Sequence, residues 1–186
     1  QGPPVLGPLP GPREVSASEV GQFDNRLDMV VIDTRPRQAF FAGHLRRSIL
    51  AERDYQLSAI AGSYVDPGKA VCLVARASDV DQIVRELVRV GIDRIECVIT
   101  PDRLAEYGSS GGVLRQTQTI DMAGLEVRRR AGDVTVLDVR GTAEFEAGHV
   151  PGAVHIPHTR VAEYAHTLPQ GRPVLVHCRS GARAAA

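Results

Sequence analysis

Neither sign of charge is in excess: 22 lysines and arginines face 22 aspartates and glutamates, and the pI is about 7.2. That balance excludes a basic field able to gather nucleic acid or an anionic membrane surface. Long apolar runs are also absent. No stretch approaches the roughly 20 residues needed to cross a bilayer, and no charged start leads into an apolar core and a small-residue cleavage site. Cysteine is scarce. Cys72, Cys97 and Cys178 are odd in number, far apart, and in no CxxC or Cys/His metal pattern, which argues against a disulfide framework and for a reducing, cytoplasmic setting. What is present, 43% hydrophobic and 24% charged residues in 186, is ordinary for one large or two small globular domains. Function is therefore to be sought in a site rather than a charged face.

Residues 1–12 (QGPPVLGPLPGP) hold five of the twelve prolines, too dense a spacing for helix or sheet hydrogen bonding, and read as a linker. With no start methionine ahead of it, the linker is expected to join an upstream domain of a longer chain. Ser16 to Glu19 then has capping-box spacing and predicts a short amphipathic helix over 16–27. The compact apolar run Met29–Asp33 predicts a strand buried on both faces.

The same order returns later. Asp121 is placed to cap a helix reaching about Arg130, and 134–139 (VTVLDV) supplies the buried strand. Laid together, IDTRPRQAFFAGHLRRSI from Ile32 and LDVRGTAEFEAGHVPGAV from Leu137 agree in Asp, Arg, Phe and Ala-Gly-His. Asp33 and Asp138 are 105 residues apart (138 − 33), long enough for a domain rather than a solenoid unit. A second pair of strands, Ala70–Val74 and 173–177, extends the match at an offset of 103. In the first copy a helix over 79–90 follows, stopped by Gly91, and then a strand over 94–99. In the second the sequence ends one turn into that helix. The expectation is α/β: two modules, each a parallel sheet flanked by helices, over 13–107 and 113–186, with the second incomplete. Gly108-Ser-Ser-Gly-Gly112 has no apolar anchor and reads as the link between them.

The sharpest feature is Val174-Leu-Val-His-Cys178-Arg-Ser-Gly-Ala-Arg183. A loop between the end of a parallel strand and the start of a helix turns successive amides toward one spot, at the positive end of the helix dipole. Arg179 and Arg183 add two positive charges. Such surroundings can bring a thiol from about 8.5 to between roughly 3.5 and 7.5, in the thiolate form that attacks. Gly181, lacking a Cβ, lets the loop curl.

On these residues the chain resembles the rhodanese (sulfurtransferase) family. CRSGAR, Cys178 to Arg183, is similar to the family's six-residue active-site loop. Asp138, Arg140, Phe145, Gly148, His149, Pro151 and Gly152 match its upstream signature, and the likeness covers nearly all of the chain after the linker. The resemblance implies that Cys178 carries a sulfane sulfur as a persulfide, passing it from thiosulfate or a low-molecular-weight persulfide to a thiol or cyanide. Arg179, Ser180, Gly181, Ala182 and Arg183 would hold the anion; no cofactor is implied for this segment. The related Cys-dependent phosphatases use a longer C-x5-R loop, and four residues between Cys178 and Arg183 favour sulfur over phosphate.

The first copy departs at the decisive place. Ala75 stands where Cys178 stands, Asp79 brings an acidic residue near the anion site, and Val80 replaces the closing arginine, so this module can form no persulfide. A silent module ahead of a catalytic one resembles tandem sulfurtransferases, and also fusions in which a metallo-β-lactamase-fold persulfide dioxygenase precedes two rhodanese-like modules. The latter implies an upstream metal-dependent domain as partner, with the alternative that the pair here only docks or regulates.

Other residues take plainer readings. Cys72 and Cys97, inside apolar runs, read as small core residues. His44 and His149 recur in both copies although only one has a loop cysteine, so a structural hydrogen bond explains them better than catalysis. Asp138 and Arg140, with Asp33 and Arg35, read as structural support. His149, His155 and His158 lack a carboxylate or thiolate at metal-ligand spacing, so no metal is assigned. His177 reads as packing beneath the loop, and Arg128-Arg129-Arg130 as a solvated helix end.

Overall fold

The apolar run at 29–33 is a strand because it lies in the middle of a sheet, where both faces need side chains that shed water. The computed structural model describes residues 7–54, 56–66 and 68–186. The first half of the expected linker, residues 1–6, lies outside these; residues 7–12 carry neither helix nor strand. The described chain divides into two units, residues up to Thr117 and Gln118–Ala186.

In the first unit the order is β1 (Arg13–Glu14), α1 (Ala17–Val20), a 3-10 stretch Gly21–Asn25, β2 (Met29–Asp33), α2 (Arg37–Ala42), β3 (Ile49–Leu50), α3 (Leu57–Tyr64), β4 (Ala70–Val74), α4 (Val80–Val88), β5 (Ile95–Ile99) and α5 (Pro101–Ser109). All its strands are parallel, in the order β1-β5-β4-β2-β3. β4, between β5 and β2, is buried at every residue. The helix expected over 16–27 is shorter than its pattern. The capping box forms, with the Ser16 amide donating to Glu19 Oε2 at 3.0 Å, but regular helix stops at Val20 and tightens into 3-10 turns. The turn starts at Gly21, where an added Cβ would come within 3.2 Å of the Tyr107 hydroxyl on α5. Gly21 thus leaves room for α5 where regular helix gives way.

The second unit runs α6 (Met122–Ala131), β6 (Thr135–Asp138), α7 (Thr142–Glu146), β7 (Val154–His155), α8 (Val161–Tyr164), β8 (Val174–His177) and α9 (Ala182–Ala185). Asp121 caps α6 by accepting from the Gly124 amide at 2.7 Å, and Gly132, at φ +74°, ends it. The parallel order β7-β6-β8 reproduces β3-β2-β4. One difference matters. β4 is covered by β5 on its far side, whereas β8 pairs only with β6 among the described residues, and Val174 and Val176 are 37% and 43% exposed.

The segment expected to link the modules belongs instead to the first unit. Gly108 and Ser109 finish α5, and Gly112 lies so close to the Tyr107 ring that a Cβ would meet it at 2.4 Å. Leu114 packs on the first core, and Arg115 exchanges backbone hydrogen bonds of 2.9 and 2.8 Å with His44. Glycine there serves close packing rather than flexibility, and the division falls after Thr117 instead of near 108–112. Among the described residues no helix is long and apolar enough to cross a membrane.

Candidate functional site

Both units build the same support under the C-terminal ends of their strands. In the second, the last residue of β6, Asp138, is fully buried and takes Arg140 in a fork: Nε to Oδ1 and Oδ2 at 2.9 Å, Nη2 to Oδ2 at 2.6 Å, and the Arg140 amide to Oδ1 at 3.0 Å. Arg140 also donates to the Gly148 carbonyl at 2.8 Å, tying the strand end to the turn after α7. Burial works against the Asp138 charge, but the hydrogen bonds from Arg140 outweigh it and hold the carboxyl below its ordinary range. Asp33 and Arg35 repeat every one of these contacts within 0.2 Å, ending on Gly43. His149 stacks on Phe145 with ring centres 3.8 Å apart and shares its Nδ1 with the Phe145 carbonyl at 3.0 Å. His44 does the same with Phe40, at 4.0 and 2.9 Å. The conserved geometry is scaffolding in both copies.

On this support the loop after β8 brings three groups together. Cys178 is half-buried, its side chain resting on Leu137, Val139 and Ile156. The loop returns over it because Gly181 adopts φ +86°, a left-handed conformation that glycine takes without strain. That turn aims the Gly181 amide at the Cys178 sulfur, 3.1 Å away. Arg183, the second residue of α9, has its charge favoured chiefly by Glu144 and to a smaller degree by the nearby Cys178, and is pinned by Glu144 with Nη1–Oε2 at 2.6 Å and Nη2–Oε1 at 3.0 Å. The Arg183 fork holds the Glu144 carboxyl down at about 2. Arg179 and Ser180 are exposed. Of the six positions expected to form the anion cradle, Gly181 meets the Cys178 sulfur directly, and Arg183 stands next to Ala182 at the start of α9, held by Glu144.

His177 lies beneath the loop as packing. Its Nε2 sits 3.6 Å from Asp138 Oδ2, and burial pushes its pKa down despite that neighbour. His155 is stacked on Phe145 at 4.4 Å and its Nε2 meets the Arg140 carbonyl at 2.9 Å, so it belongs to the scaffold. His158 is pushed down by burial and then by the charge of Arg183.

Glu144 escaped the sequence reading, although a signal for it existed. In the aligned copies Glu144 stands over Ala39 and Arg183 over Val80, so the silent copy lacks both members of one ion pair. His158 likewise stands over Arg53. In the first unit Ala75 is buried where the thiol would be, and Asp79 fills the charge pattern from within. It accepts from Arg76 Nε at 2.8 Å and pairs with Arg53 at 3.3 Å, and the Arg76 hydrogen bond keeps its carboxyl below the ordinary range. A cavity of about 370 Å³ opens beside it, lined by Thr34, Arg35, Arg53, Arg76, Asp79 and Pro101 among others.

Residues 122–186 match the family model described as rhodanese-like domain. The chain is 37% identical over 84 residues to an HTH-type transcriptional regulator of Mycobacterium tuberculosis, covering 44% of this chain and 37% of that protein. It is 37% identical over 51 residues to a sulfurtransferase of Allochromatium vinosum, covering 27% of this chain and 48% of that one. It thus spans under half the length of these relatives. Among solved structures, the 3-mercaptopyruvate sulfotransferase of Escherichia coli aligns with a TM-score of 0.41 and 16% identity over 94% of this chain and 91% of that one. The family-model match supports a rhodanese-like reading of residues 122–186.

Proposed function

We propose that the second unit is a sulfurtransferase in which Cys178 carries sulfane sulfur as a persulfide. The observation that carries the reading is the Gly181 amide aimed at the Cys178 sulfur, in a loop whose arginine is fixed by Glu144. The Cys178 thiolate attacks the outer sulfur of thiosulfate or a low-molecular-weight persulfide. The S–S bond of the donor breaks, sulfite or thiolate leaves with the electron pair, and Cys178–S–S⁻ remains. A persulfide anion needs the same donors as a thiolate, so the amide and Arg183 serve both states. An acceptor thiolate or cyanide then takes the outer sulfur and returns the Cys178 thiolate. The scheme draws on no cofactor, and its partners are the small donor and acceptor in a reducing, cytoplasmic compartment.

Arg179, Ser180 and Ala182 enter this reading as the outer lining that a donor meets on approach. The silent first unit is read as the supporting half of a tandem pair, and an upstream metallo-β-lactamase-fold domain as its fusion partner. Thiosulfate:cyanide transfer and persulfide transfer, measured in the protein and in Cys178→Ser, test the scheme. A mass increase of one sulfur on Cys178 after donor treatment, lost in the variant together with turnover, is expected. Equal activity in both proteins overturns it.

A further inference from the structure

The two remaining thiols lie in the silent unit and take no part in that chemistry. Cys72 on β4 and Cys97 on β5 are direct partners in neighbouring parallel strands. They are opposite each other only because the ladder is irregular. Val71 pairs with Ile95, and the next residue of β4 pairs not with Glu96 but with Cys97, so one residue of β5 is skipped. Without that bulge Cys72 would face Glu96, and the two thiols would point to opposite faces of the sheet. With it, both enter one cluster, beneath Val15, Val20 and Phe23, at 0% and 3% exposure.

Neighbouring strands run about 4.8 Å apart, which lies inside the roughly 4.4–6.8 Å range of Cα separations that a disulfide spans. We propose that Cys72 and Cys97 are a latent dithiol that a peroxide converts to an intramolecular disulfide joining β4 to β5. The inference is independent of the activity read for the second unit.

The two thiols are not equivalent. Their mutual interaction raises Cys72, with burial adding to the rise, and lowers Cys97 against the opposing effect of burial, with Arg13 across the β1–β5 pairing also favouring the Cys97 thiolate. Cys97 is accordingly the nucleophile. Its sulfur attacks one oxygen of hydrogen peroxide, the O–O bond breaks, and hydroxide leaves, giving Cys97–SOH. The Cys72 sulfur then attacks the Cys97 sulfur, the S–OH bond breaks, and the hydroxyl departs as water with the Cys72 proton. Two thiols are oxidised and one peroxide is reduced to two waters. Access comes from the sheet edge, where β1 is two exposed residues long and can fray without loss of the central ladder.

The test uses the full chain carrying Cys178→Ser, which removes the third thiol. The native protein is exposed to a few equivalents of hydrogen peroxide, quenched, unfolded in urea and alkylated with iodoacetamide. The expected product has lost two hydrogens, carries no alkyl group, yields a cross-linked peptide containing Cys72 and Cys97, and is restored by dithiothreitol. Cys72→Ala in the same background, its fold checked by circular dichroism, is expected to stop at a dimedone-reactive sulfenic acid on Cys97. Alkylation of both thiols after a dose that fully oxidises glutathione overturns the proposal, as does a cross-link that forms only in urea.

Discussion

At the scale of single residues, the pairing of Glu144 with Arg183 is the contact most specific to the second unit. A guanidinium held in a two-point fork keeps one orientation, whereas a lone arginine at a helix end samples many. Glu144→Gln keeps the size but loses the charge and one acceptor, and is expected to slow sulfur transfer by about tenfold to a hundredfold, the range that misplacement by roughly 1 Å costs. The loss belongs in kcat/KM with Cys178 still able to be loaded, which single-turnover kinetics checks. The pH behaviour follows from the direction of the shift. Because the folded carboxyl is held down at about 2 against an ordinary value of 4.5, the pair's contribution to stability is full above 4.5 and is lost as pH falls through about 2, where the pair itself breaks. A carbon-13 NMR titration of the Glu144 carboxyl is expected to find its midpoint well below 4.5. In Arg183→Ala that midpoint moves up toward 4.5.

At the scale of elements, the turn between β8 and α9 depends on a single backbone conformation. Gly181 sits at φ +86° with ψ −14°, and a Cβ in the left-handed region costs about 1–2 kcal/mol. Gly181→Ala is expected to lower unfolding stability by about 1 kcal/mol, and to weaken sulfur loading more than that loss explains, since the amide aimed at Cys178 must shift. Denaturant titration beside a loading assay separates the two effects. α6 offers a purely structural control. Asp121→Ala removes the cap acceptor for the Gly124 amide, at a cost of about 1 kcal/mol, and leaves transfer unchanged at temperatures where the protein stays folded. The helix whose length the sequence misjudged, α1, gives way to 3-10 turns at Gly21 beside α5, and the segment read as a link begins as the end of α5 and continues where Tyr107 and Leu114 give it something to pack against. Local pattern carries the period of an element but not what a distant segment lays across its end.

For the molecule as a whole, the duplication tells which features serve folding and which serve chemistry. The Asp–Arg fork and the Phe–His stack appear in both copies, so their loss is expected to damage folding wherever it is made. Asp33→Asn, in the silent unit, leaves Arg35 without its counter-charge beside a buried position and is expected to cost about 3 kcal/mol, measurable by urea denaturation. Chemistry does not return with the thiol alone. In Ala75→Cys, Asp79 still occupies the cationic neighbourhood of Arg53 and Arg76, and no arginine stands at position 80. A Cys178→Ser background carrying Ala75→Cys is therefore expected to show no persulfide on the new cysteine by mass spectrometry, and Asp79→Ala with Val80→Arg is expected to improve loading.

Residue order alone carried the α/β alternation, the internal repeat, and the identity of the loop that holds Cys178, because hydrophobic period and the Cys-Arg-Ser-Gly run are local properties. Which charges meet was decided only in three dimensions. Glu144 and Arg183 are 39 positions apart in sequence, and a skipped residue in β5, invisible in the pattern of apolar positions, turns Cys97 to face Cys72. Both outcomes depend on strand register and loop closure, which are set by the free energy of packing the whole unit and not by any one segment of it.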